Sequence, residues 1–117
     1  MDPKELLSIV DAARLAGSTV RVEGWAFTDL PTRDARGSTF HVVFRARNGW
    51  RRMFPATPVA RPDVAGFFGN PHVESCGFTA EIPVAALRAG TYDVGVYVRT
   101  KDGDEGLQIS DKSVVVD

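Results

Sequence analysis

Four arginines crowd one Asn-Gly pair in the stretch VVFRARNGWRRMF, residues 42–54, and a tryptophan follows the glycine directly. Guanidinium groups grip carboxylates and phosphates through paired hydrogen bonds, and an indole offers a flat face on which a ring can stack. Arg45, Arg47, Arg51 and Trp50 therefore describe a candidate binding face for an anionic polymer. The plainer alternative is a structural hairpin whose solvated face is arginine, which also deters edge-to-edge aggregation. Like charges directly across a hairpin repel, so a cluster kept at that cost points to an anionic partner. An acidic glycan, a phosphate-bearing polymer and an acidic patch on another domain all fit. Both readings stand, with the plainer one preferred.

The remaining reactive side chains are sparse. His72 and Glu74 form a His-x-Glu pair, but the chain has two histidines and one cysteine, and zinc needs more nitrogen or sulfur ligands. KDGDEG (101–106) carries several carboxylates around a glycine. A calcium loop needs six or more oxygens, whereas Asp102-Gly103 is what a hairpin turn requires of its backbone. Cys76 can form no internal disulfide. It reads as a small buried residue, since a catalytic thiol needs a base and an orienting partner. No Gly-rich phosphate loop and no Ser-centred nucleophile elbow is present. The expectation is a non-enzyme with no catalytic residue, no cofactor and no metal. In RPDV, Arg61 can reach Asp63 or a carboxylate in the 70–76 loop and pin a short helical turn that the rigid Pro62 starts. A structural role for Arg61, Pro62 and Asp63 is preferred over ligand binding.

The elements that must position these groups are strands. The 117 residues suffice for one domain with a single core, and 44% hydrophobic with 25% charged residues is the balance of a globular chain. A formal net charge of −1 argues against a dedicated nucleic-acid binder. No apolar stretch approaches the roughly 18 residues that span a bilayer. No basic segment leads into a signal-like apolar run, so the expectation is a cytoplasmic chain, or a piece of a longer protein whose signal lies elsewhere.

Residues 18–27 alternate Val20, Val22, Gly24 and Ala26 against Arg21, Glu23, Trp25 and Phe27, the period of a strand. Residues 38–47 do the same, and Asn48-Gly49 fits a two-residue type I′ turn into 50–54. Pro62 and Asp63 start one or two helical turns over 62–68. Residues 76–84 and 91–100 resume as strands, and a hairpin at 101–104 leads into the returning 106–116. The first residues are ambiguous: Leu6, Ile9, Val10 and Ala13 can share a helical face, but the all-β context favours strand over 8–15. Residues 1–7 are expected as a disordered or helical lead-in to a single domain, 1–117.

Short strands with turn signals every ten residues or so describe a β-sandwich or barrel. Leu87, Gly90 and Tyr92 match the tyrosine corner of Greek-key sandwiches, in which a phenol bonds back to upstream backbone. Trp25, seldom left bare on a strand, is expected to pack under the 61–68 turn. The predicted fold is an immunoglobulin- or fibronectin-III-like Greek-key β-sandwich of about seven or eight strands.

The ordered set VEGWAF (22–27), ARPDVAGFF (60–68), CGFTAEIP (76–83) and LRAGTYDVGVYV (87–98) resembles a bacterial β-sandwich module. That module is appended to glycosyltransferases and other surface-polysaccharide proteins. The resemblance runs from about residue 8 onward. It implies a non-catalytic accessory domain, with a glycan or a neighbouring glycan-modifying domain or protein as partner, and it transfers no catalytic residue. The alternative is a protein-interaction or homodimerisation domain that uses an exposed strand edge. Single-stranded nucleic-acid binding lacks the broad basic surface and repeated aromatics it would need.

Overall fold

The computed structural model, which describes residues 6–28 and 33–117, is all-β. Its seven strands are β1 (Leu6–Ala16), β2 (Thr19–Thr28), β3 (Thr39–Ala46), β4 (Arg51–Val59), β5 (Gly77–Pro83), β6 (Gly90–Arg99) and β7 (Glu105–Val116). Paired antiparallel throughout, they form one sheet in the order β1-β2-β5-β4-β3-β6-β7. The sheet curls until its two end strands, β1 and β7, lie close together, so it is nearly closed.

Strand wins over helix at the N-terminus because β2 offers a partner along the whole length, from Leu6↔Thr28 to Ala16↔Thr19. Of the lead-in expected over 1–7, Leu6 and Leu7 belong to this strand, and residues 1–5 lie outside the described residues. The pairing slips at Asp11, a bulge that turns this carboxylate out of the alternation.

Alternation then decides what is buried. The inner face gathers Val20, Val22 and Ala26 of β2, Phe40, Val42 and Phe44 of β3, and Phe78, Ala80 and Ile82 of β5. Tyr92, Val94, Val96 and Val98 of β6 complete the same core. At ~25 cal/mol per Å2 of apolar surface, such side chains contribute about 1.5–3 kcal/mol each, and they dominate the fold's stability.

A second, smaller core sits on the other side of β2. The helix α1 (Pro62–Phe68) and a 3-10 helix (Pro71–Cys76) lie there, burying Val64, Ala65, Val73 and Cys76 against Phe27. Pro62 starts α1, and Gly69 ends it in the left-handed region at φ 60°. Asn70 holds the junction. Its side chain accepts from the His72 N–H (2.9 Å) and donates to the Arg33 carbonyl (2.8 Å).

β4 changes partner in mid-course. Residues up to Ala56 pair with β3, and Thr57–Val59 pair with β5. Pro55 and Pro58 lack the N–H of an unbroken ladder, which suits a strand that divides itself between two neighbours.

One local expectation is corrected. The β3–β4 hairpin is not a two-residue type I′ turn. Ala46 pairs with Trp50, the Gly49 N–H donates to the Ala46 carbonyl (2.9 Å), and only Gly49 takes positive φ, at 94°. This is the three-residue loop in which a left-handed glycine follows a tight turn, and it leaves Asn48 with the negative φ that suits a side chain. The Asn48 side chain accepts from the Trp50 N–H (3.0 Å) and closes the loop.

Candidate functional site

The extra loop residue sets the register of the arginines. Arg45 stands directly opposite Arg51, and Phe44 opposite Arg52. Cross-strand partners share a face, so Arg45 and Arg51 look outward while Trp50 and Arg52 turn to the core side with Ala46 and Phe44. A two-residue turn would have put Trp50 opposite Arg47 instead.

On the outward face Asp93, the β6 partner of Arg45, serves two guanidiniums. Its carboxylate lies 3.6 Å from Arg45 and 3.1 Å from Arg47. Arg51 has no hydrogen-bond or ion-pair partner among the described residues.

Beside this cluster the outward face dips into a groove of about 570 Å3, lined by Val43, Arg51, Arg52, Met53, Tyr97, Glu105, Gly106 and Leu107. Val43 forms a fully buried floor, and Met53 is a half-exposed wall. The Tyr97 hydroxyl donates to Glu105 Oε1 at 2.7 Å. That bond, aided by partial burial, raises the phenol's pKa, so Tyr97 stays protonated. The groove thus has an apolar floor, an aromatic wall, a guanidinium on one side and a carboxylate on the other. Sequence reasoning missed Tyr97, Glu105 and Met53. Their signal was alternation: Tyr97 stands on the face of 91–100 opposite the core valines.

Trp50 is not part of the groove. It packs against the main core, with its ring edge-on to Tyr92 at 5.7 Å and the Arg88 guanidinium 5.1 Å from its centroid. Arg52 lies nearby, donating to the Ala86 carbonyl (3.0 Å) and covering Phe54 at 5.0 Å. Tyr92 is buried, and its hydroxyl donates to the Arg88 carbonyl at 2.5 Å. The three sequence-selected arginines therefore share one face, and the tryptophan stands on the other.

Arg61 lies on the opposite flank of the molecule. Its Nε and Nη2 grip both oxygens of Asp63 (3.0 and 2.9 Å), and its Nη1 reaches Asp11 (2.7 Å). Its backbone N–H donates to the Glu74 carbonyl at 2.6 Å. Gly77 makes room for this: a Cβ there would meet the Val59 carbonyl and stand 2.6 Å from Arg61 Cγ. The guanidinium is fully engaged by two carboxylates, which raise its pKa further and hold Asp63 down at about 2. Trp25 stacks on Phe27 (5.7 Å) and meets Phe68 of α1 edge-on (5.8 Å).

The other reactive groups are dispersed. Cys76 is buried, and burial pushes its thiol up to about 11, which leaves it unreactive at neutral pH. His72 and Glu74 are exposed on the 3-10 helix, and among the described residues no three His, Cys, Asp or Glu side chains gather as metal ligands do. The 101–104 turn is closed by backbone, the Thr100 N–H donating to the Asp104 carbonyl (2.8 Å) and the Gly103 N–H to the Thr100 carbonyl (2.9 Å), with Gly103 at φ 89°. Among the described residues no helix is long and apolar enough to cross a membrane. No protein-family model and no curated protein matches this chain.

Proposed function

We propose that this chain is a non-catalytic accessory module of immunoglobulin-like Greek-key type that binds glycan on its outward β3–β4–β6–β7 face. Two features support the sandwich reading. Core side chains of β1, β2 and β5 meet those of β3, β6 and β7, and β4 links the two layers. The observation that carries the function is the groove. A sugar ring offers an apolar C–H face and a rim of hydroxyls, and the groove offers Met53, Tyr97 and Leu107 against the first and Arg51 and Glu105 for the second. Its volume of about 570 Å3 lies within the ~300–1,000 Å3 range of ordinary ligand sites. Titrating 15N-labelled protein with neutral and acidic oligosaccharides tests this reading. Amide shifts should cluster at Val43, Met53, Tyr97 and Leu107, with each saccharide recovered intact. Unmoved amides across the panel would reject it.

A second reading, protein interaction by strand addition, has one observation in its favour. Leu6–Asp11 of β1 and Gln108–Lys112 of β7 border a gap of about 640 Å3 between the two ends of the sheet. Both strands are bulged there, which keeps their edges from pairing with each other. Light scattering across a concentration series tests self-association, and a dimer broken by Ile9→Lys would favour this reading.

A further inference from the structure

We infer that the outward groove selects an acidic sugar, with Arg51 pairing to a carboxylate carried by the ligand. This rests on the glycan reading above and assigns its chemical class.

The charge pattern is the argument. Arg51 lines the groove, and beside it on the outward face Arg45 and Arg47 share one carboxylate, Asp93, so the three arginines leave two positive charges in excess. Asp93 is placed to relieve Arg45 and Arg47, since it pairs across from Arg45 on β6. Arg51 lies on the far side of Arg45, on β4, and stays unpaired among the described residues. Two guanidiniums directly across a ladder repel, and an anion bridging them removes that cost as it binds.

Glu105 gives the groove a direction. Its carboxylate, already accepting from Tyr97, faces Arg99 across the β6–β7 ladder, so charge is balanced at that wall and the excess positive charge lies at the Arg51 side. The ligand's carboxylate is therefore held at the Arg51 side, and its hydroxyls lie at the Glu105 side, where an acceptor awaits them. Between the two, the ring's C–H face rests on Met53, Tyr97 and Leu107. A neutral sugar keeps the apolar contact and loses the ion pair.

The probes are a galacturonic acid trisaccharide and the same trisaccharide carboxyl-reduced to its neutral form, titrated calorimetrically at low salt. The acidic form should bind about three- to tenfold more tightly, the worth of one exposed charge-assisted contact. Arg51→Ala should abolish that preference, weakening the acidic form far more than the neutral one. Arg14→Ala, which removes the same charge from an exposed site on β1, should leave it intact. Raising salt should shrink the preference, because the guanidinium is exposed. Equal binding of the two forms, or a preference that survives Arg51→Ala, overturns the proposal while leaving glycan binding in place. Binding of neither form rejects the glycan reading and this inference with it.

Discussion

Arg61 Nη1 lies 2.7 Å from Asp11 Oδ2, across a sequence separation of 50 residues. Asp11 is the bulge residue of β1, and Arg61 precedes α1. The pair therefore fastens the small outer core to the first strand of the sheet. Arg61 also holds Asp63 with a two-pronged grip. Its side chain is 25% exposed, so solvent screens these contacts only partly. Arg61→Ala should cost about 1–3 kcal/mol by urea denaturation, since it strands the stem contacts and two carboxylates together. Arg61→Lys should recover less than half of that, because an ammonium lacks the planar fork. Full rescue by lysine would reduce the site to bulk charge.

The same cluster carries a pH dependence. Asp63 is held at about 2, below its ordinary 3.8, chiefly by the hydrogen bonds from Arg61. A depressed carboxylate contributes stability that is present above its unfolded pKa and lost as pH falls through the folded value. The relevant window therefore runs from about pH 4 down to about pH 2. The difference in urea midpoint between wild type and Asp63→Asn should be constant above pH 4 and shrink towards pH 2. A difference that stays constant to pH 2.5 would mean that Asp63 does not feel Arg61.

Tyr92 supplies a cleaner test of one hydrogen bond. Its ring is buried, and its hydroxyl has a single acceptor, the Arg88 carbonyl. Tyr92→Phe keeps the ring packing against Phe44 and Trp50 and removes only that bond. It should cost about 1 kcal/mol, the net worth of an ordinary intramolecular hydrogen bond. An unchanged thermal midpoint would show that Arg88 is held by other means.

Strand alternation was legible in the sequence because the side-chain period of a strand is two whatever surrounds it. What covers each face was not. Phe27 and Val43 stand on faces opposite the main core, yet both are fully buried. Phe27 is covered by α1 and the 3-10 helix, and Val43 sits between larger neighbours such as Met53 and Tyr97. The covering of Phe27 comes from chain far away in sequence, and that of Val43 joins its hairpin partner Met53 to the distant Tyr97. The Asn-Gly pair announced a hairpin without fixing its loop length, because two- and three-residue loops both place glycine at a positive φ. That one residue decides whether Trp50 shares a face with arginine or with the core. The Arg61 cluster was half legible. Asp63 is local, but Asp11 enters only through a bulge that alternation does not reveal.

The hairpin register yields the last prediction. Since Trp50 packs on Tyr92 and lies under Arg88, its role is in stability, and its removal should be felt by the core. Trp50→Ala deletes a large, partly buried aromatic and should destabilise by about 2–4 kcal/mol, near the lower end of full aromatic truncation because the ring is not wholly enclosed. Trp50→Phe should retain about half of that, keeping an edge-on ring against Tyr92. Arg51→Ala, on the outward face, should leave the thermal midpoint within about a degree of wild type or raise it slightly by removing the repulsion with Arg45. Measured on the same protein preparations, saccharide affinity should respond in the opposite sense, falling with Arg51→Ala and holding with Trp50→Phe. A Trp50→Phe variant that folds as wild type but loses saccharide binding would place the indole in the binding site and refute the separation of the two faces.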